Sequence, residues 1–226
     1  MMMEANRKFW NDQHKLLRQA LAKSSEHAAA KRLFLSQHAM VHGAAVSDTV
    51  AWSFEDEVWQ GLSDADARRI PPGCDHSIAW TTWHSARIED VTMNLLVAGG
   101  SQVLCEEDWP GRMKVMARDT GNLMDLEGVA RLSQAIDIPA LRAYRQAVAR
   151  RTRELAAALR PDELKRKVDP ARIERIREEG AVVEAAADLL DYWGGLKIAG
   201  LLLMPPTRHQ FVHWNEALRI KQKINN

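Results

Sequence analysis

Two histidines near the C-terminal end of the chain stand four positions apart, His209 and His213 in the segment MPPTRHQFVHWNEALRIK. On a helix that spacing puts both imidazoles on one side, one turn apart, where two nitrogens can meet one metal ion. Continuing the same face gives Ala217, Ile220 and Ile224, so both rings are expected to look inward. A third histidine, His84, lies in the segment SIAWTTWHSARIEDVTMNLLVAGG, where Trp80, His84, Ile88, Val91 and Leu95 recur at helical spacing. A histidine inside an apolar stripe faces the core and needs a partner there. Together His84, His209 and His213 make a three-ligand set of the kind that leaves a coordination position for water or substrate.

The neighbouring residues limit the chemistry. The pair reads His-Gln-Phe-Val-His, with Gln210 where a zinc protease of the H-E-x-x-H type needs its glutamate base, so proteolysis loses its main support. A second pair at the same spacing, His38 and His42, also lacks that glutamate. Packing or pocket lining is the first reading for it, and ligation the second. Glu89 and Asp90 follow His84 by about one turn, and Glu216 follows His213. Each is a candidate to orient an imidazole through its second nitrogen. Arg87 and Arg208 are candidates for holding an anionic substrate, or for salt bridges to Glu89, Asp90 or Glu216.

The elements that must carry these residues read as helices throughout. Residues 4–22 form a polar helix with an apolar stripe of Leu16, Leu17 and Leu21, and a break follows at Lys23-Ser24-Ser25. Helix resumes near Glu26 and carries Leu33, Phe34, His38, Met40, Val41 and His42. Ser53 with Asp56 is an N-cap signal, which leaves residues 27–62 as one kinked helix or two. Pro71-Pro72-Gly73 is a turn, Ser77 caps the His84 helix, and Gly99-Gly100 ends it. Residues 99–123 are loop-like. A short helix spans about 126–134, and Asp137 with Pro139 opens a long one that Pro161 ends. The charged 162–179 segment breaks at Asp169-Pro170, and Gly180 opens an apolar helix with an interruption at Gly194-Gly195. Pro205 and Pro206 are expected to stop that helix, and Thr207 with Gln210 to cap the last one as a T-x-x-Q box. No stretch alternates at period 2, so the fold class is all-α.

Composition narrows the partners. The 226 residues form a single domain, with residues 1–26 as a helical extension. Thirty-one basic residues against 30 acidic ones leave a net charge of +1, which gives no electrostatic reason for nucleic acid or an anionic membrane as partner. Basic runs such as Arg150-Arg151 are interleaved with acids and read as a solvated face. Cys74 and Cys105 have no C-x-x-C partner, the N-terminus has no apolar signal segment, and no apolar run is long enough to span a bilayer. A cytoplasmic protein is expected.

Two segments, SIAWTTWHSARIED and TRHQFVHWNEALRI, and their order in the chain resemble the DinB/YfiT-like superfamily. The likeness in organisation extends over residues 33–221. Residues 1–30 and 160–200 are longer than a minimal member needs. Residue by residue, the resemblance assigns the family's metal ligands to His84, His209 and His213. It implies an up-down-down-up four-helix bundle with additional N-terminal and inserted helices. It further implies a divalent metal (zinc, nickel or similar), a homodimer, and a small-molecule substrate. Characterised members include transferases and isomerases that use a low-molecular-weight thiol such as bacillithiol or mycothiol. A thiol-dependent S-transferase is the leading expectation and metal-dependent hydrolysis the second. A non-catalytic metal-binding stress protein and a metal-free interaction module are the readings outside enzymology.

Overall fold

A computed structural model describes residues 2–47 and 52–226. In chain order it contains α1 (Met2–Leu21), α2 (His27–Val41), α3 (Phe54–Trp59), α4 (Asp64–Arg68) and α5 (Ile78–Asp90), the last prolonged by a π-helical segment over Val91–Ala98. Then follow α6 (Trp109–Met113), α7 (Leu126–Ala135), α8 (Ile138–Ala158), α9 (Pro170–Glu178), α10 (Ala187–Gly194), α11 (Ile198–Leu203) and α12 (Gln210–Asn225). No β-strand occurs among the described residues, which agrees with the all-α expectation. The α2/α3 region is two helices, although residues 48–51 between them lie outside the described set.

Three of the caps read from sequence are made. Ser53, Ser77 and Asp137 each accept a hydrogen bond from the backbone N–H three residues on, at 3.0, 3.0 and 3.1 Å. Gly99 ends the π-helical continuation of α5 with φ of 72°. α2 packs on α8 and α12, and α5 packs on the same two helices, a ring of neighbours compatible with the expected four-helix bundle. α5 is buried nearly all round, from Ile78 to Asp90, rather than along one stripe.

Two expectations are corrected. α1 buries Leu17 and Leu21 of the expected stripe, together with Trp10, His14 and Ala20, but Leu16 is 46% exposed and does not belong to it. Trp10 is fully buried and stacks on Phe211 of α12 with ring centroids 4.1 Å apart, which ties α1 into the main core.

The second correction concerns Pro205-Pro206, which do not stop the helix. The chain passes from α11 to α12 through a π-helical turn over Met204–His209. Two prolines remove two backbone donors, and wide i→i+5 bonding accommodates them. Thr207 Oγ1 donates to the Leu202 carbonyl at 2.9 Å, and Gln210 Nε2 donates to the Pro205 carbonyl at 3.3 Å. Thr207 and Gln210 therefore serve carbonyls of α11 and of the turn and do not form a capping box.

No helix among the described residues is long and apolar enough to cross a membrane. Cys74 and Cys105 are both unpaired.

Candidate metal centre

His209 closes the π-helical turn and His213 lies one turn into α12, while His84 comes from the middle of α5. One ring nitrogen from each of the three lies within 4.8 Å of the others. The Nε2 atoms of His209 and His213 are 3.1 Å apart, and the His84 ring centroid is 5.1 and 5.0 Å from those of His209 and His213.

The outward nitrogens explain why the inward ones converge. His84 Nδ1 donates to the carbonyl oxygen of Thr120 at 2.5 Å, which leaves Nε2 with its lone pair free. His213 Nδ1 lies 2.8 Å from Glu216 Oε2, at ion-pair distance though without hydrogen-bond geometry, and the carboxylate favours a proton on Nδ1 and the lone pair on Nε2. Two lone-pair nitrogens and the Nε2 of His209 then share one small space. A single proton on His209 can satisfy only one of the other two, whereas one cation accepts all three. The donor set therefore fits a metal ion. His209 Nδ1 is buried and has no hydrogen-bond partner.

The charge states agree with ligation. Burial, reinforced by the neighbouring His213, pushes His84 down to about 3. Burial likewise holds His209 well below its ordinary value, with His213 and His84 adding to the effect. Both rings are neutral at pH 7, the form that binds metal. The His213 ring beside it holds the Glu216 carboxyl below its usual range, so it is an anion there.

The centre has an accessible side. His84 is 4% exposed, but the side chains of His213 and Glu216 are 18% and 33% exposed. Trp80 stacks on the inner ring, His84, at 4.8 Å and 6° between planes. An apolar indole wall, a neutral three-nitrogen cluster and a carboxylate at the rim thus surround the point where an ion could sit.

Arg87 and Arg208 stand elsewhere than an anion-binding role requires. Arg87 is fully buried, and its guanidinium reaches Asp90 Oδ2 at 3.1 Å, Tyr144 Oη at 2.9 Å, Gln102 Oε1 at 2.6 Å and the Arg118 carbonyl at 2.6 Å. No donor is left for a substrate. Instead Arg87 pins the 118–120 loop, whose Thr120 carbonyl orients His84. Arg208 turns towards α1, donating to Asn11 Oδ1 at 2.7 Å and lying over the Phe211 ring at 5.4 Å. Asp90 accepts from Asn94 Nδ2 and from the backbone N–H groups of Val103 and Leu104, so it shapes the loop after α5 and no imidazole.

Glu89 orients a different pair. Its two oxygens lie 2.9 Å from His38 Nε2 and 3.0 Å from His42 Nε2, and all three side chains are fully buried. His42 is thus gathered with His38 and Glu89, not with the His84 set. Three contributors escaped the sequence reading. Thr120 acts through its backbone, which carries no side-chain signal. Arg145 occupies an inward position between Leu141 and Val148 on α8, and a charge in such a stripe was a readable sign of a buried partner. That partner, Glu55, accepts from Arg145 Nε at 2.9 Å.

The model of the DinB superfamily matches residues 50–190, more than half of the chain. The matched segment includes His84 and Glu89 but ends before His209 and His213. Comparison with curated proteins gave no match.

Proposed function

The chain belongs to the DinB superfamily, and from that premise we propose that His84, His209 and His213 hold a divalent metal, zinc or nickel, in an enzyme of the thiol-dependent S-transferase type. The observation that carries the reading is the convergence of three neutral imidazoles, two of them with the outward nitrogen already engaged by Thr120 and Glu216. A bound divalent ion supplies Lewis acidity, which lowers the pKa of a thiol or a water to give a nucleophile near neutral pH.

The protein's own residues do the remaining work. Thr120 and Glu216 fix ring orientation, and Arg87 holds the loop that carries Thr120. Trp80 shields His84 and offers an apolar face to a substrate. With Arg87 committed inside, the substrate is a small molecule without need of an arginine clamp, and a low-molecular-weight thiol is the cosubstrate. Metal-dependent hydrolysis is the alternative on the same residues. A homodimer is the expected assembly, and the exposed Met116, Leu123 and Leu126 are apolar surface available to it.

The experiment is a screen of the metal-loaded protein with electrophilic small molecules, with and without low-molecular-weight thiols. Consumption of the electrophile that requires both the metal and a thiol is the expected result. Turnover without a thiol would select hydrolysis. Metal retention with no turnover on any substrate would favour the non-catalytic binding protein.

A further inference from the structure

The second cluster, His38, His42 and Glu89, is more deeply enclosed than the first, with exposures of 0, 1 and 0%. It brings two imidazoles from α2 and its C-terminal end onto one carboxylate from α5, where the two apolar clusters of the core meet. The rings stack 4.0 Å apart, and their Nε2 atoms face opposite oxygens of the same carboxylate. Only the His38 contact has hydrogen-bond geometry. His42 Nε2 and Glu89 Oε2, although 3.0 Å apart, are both unsatisfied buried atoms. Buried polar atoms at such close range without a bond indicate a missing third party.

Charge points the same way. The fully buried Arg145 spends its charge on Glu55, so it does not neutralise Glu89. Glu55 Oε2 in turn lies 3.8 Å from His42 Nδ1, on the side away from Glu89. That separation is too long for a hydrogen bond, and His42 Nδ1 is left without a partner. The two imidazoles and the carboxylate each offer one atom within 4.8 Å of the others, a compact set of two nitrogens and one oxygen.

We propose that His38, His42 and Glu89 form a second divalent-metal site, closed to solvent, that fastens α2 to α5 from inside the fold. It is distinct from the His84, His209 and His213 centre and does not depend on it. The ligand class is a divalent transition-metal cation, and the enclosure assigns it a structural role with slow exchange.

The test uses crystals of the unmodified full chain grown with zinc, with anomalous difference maps collected at the zinc edge, so that no variant has to fold. Two peaks, one among His84, His209 and His213 and one among His38, His42 and Glu89, are expected. A peak at the first position alone would overturn the second site and leave the proposed function standing. A peak at the second alone would do the reverse, and no peak would overturn both. In solution, elemental analysis should give two equivalents for the unmodified chain and one for Glu89→Gln. A chelator should remove the two ions from the unmodified chain in a fast and a slow phase. Unchanged stoichiometry in a folded Glu89→Gln protein would contradict the proposal.

Discussion

The Nδ1 atom of His84 lies 2.5 Å from the carbonyl oxygen of Thr120, 36 residues further along the chain. This contact selects which nitrogen of His84 faces His209 and His213. It rests on a loop with little latitude, since Gly121 has φ of 79° and a Cβ there would come within 2.6 Å of Trp83 Cζ3. Gly121→Ala is therefore expected to cost about 1–3 kcal/mol of stability, from backbone strain and displacement of the indole. Metal affinity should fall by about 10–100-fold as His84 loses its orientation. Urea denaturation and a competition titration with a chromogenic chelator read the two effects separately. An unchanged affinity would show that Thr120 does not govern His84.

Glu216 performs the same office for His213 from a more exposed position. In Glu216→Gln the carboxylate beside His213 Nδ1 is gone while the shape is kept. Affinity for zinc should drop by roughly 10-fold, with a change in stability below about 1 kcal/mol because the pair is part-exposed. A loss of stability larger than the loss of metal affinity would mean that the pair is a fold contact first.

Gln210 sits where a metalloprotease would carry glutamate, and its surroundings oppose that exchange. Its Nε2 donates to the carbonyls of Ser85 and Pro205 at 2.9 and 3.3 Å, and its Oε1 accepts from Arg145 at 3.0 Å. Glutamate would set an acceptor against two carbonyls inside the core. Gln210→Glu should destabilise the protein by about 1–3 kcal/mol and confer no peptidase activity. A thermal melt and a peptide-hydrolysis assay check both halves of the statement.

Stability of the metal-free protein should depend on acidity in a defined window. His84 titrates near 3 when folded and near 6.5 when unfolded, so between those values the unfolded chain binds the extra proton. Stability is intact above about 6.5 and is lost as the pH falls towards 3, at up to about 1.4 kcal/mol per pH unit for this one group. His209, also lowered by burial, adds to the same trend below 6.5. Urea midpoints at pH 7, 6 and 5 measure it. A flat profile across that range would contradict neutral buried imidazoles.

The site histidines were legible because helical spacing is local. His209 and His213 are one turn apart, and His84 stands in a patterned helix with a serine cap at Ser77 and a glycine stop at Gly99. The caps at Ser53, Ser77 and Asp137 were legible for the same reason, since each bond spans three residues. What the residue pattern missed depends on distance along the chain or on backbone. Thr120 meets His84 through a carbonyl, and Glu89 meets His38 across 51 residues. Arg87, expected at a substrate, is instead enclosed by acceptors from three separate segments. Pro205-Pro206 read as a stop because proline removes helix donors. The side chains of Thr207 and Gln210 then bond to the carbonyls of Leu202, at the end of α11, and of Pro205, inside the turn, and the helix runs on.

The central claim is that His84, His209 and His213 share one metal ion. Elemental analysis of the purified protein is the most direct test, done on the unmodified chain and on His84→Ala, His209→Ala and His213→Ala, each checked for helix content by circular dichroism. Each variant that keeps its fold should contain one equivalent less than the unmodified chain. If the folded variants retain the same metal content, or if the unmodified chain takes up none after reconstitution with zinc or nickel, the three imidazoles are structural and the account is wrong.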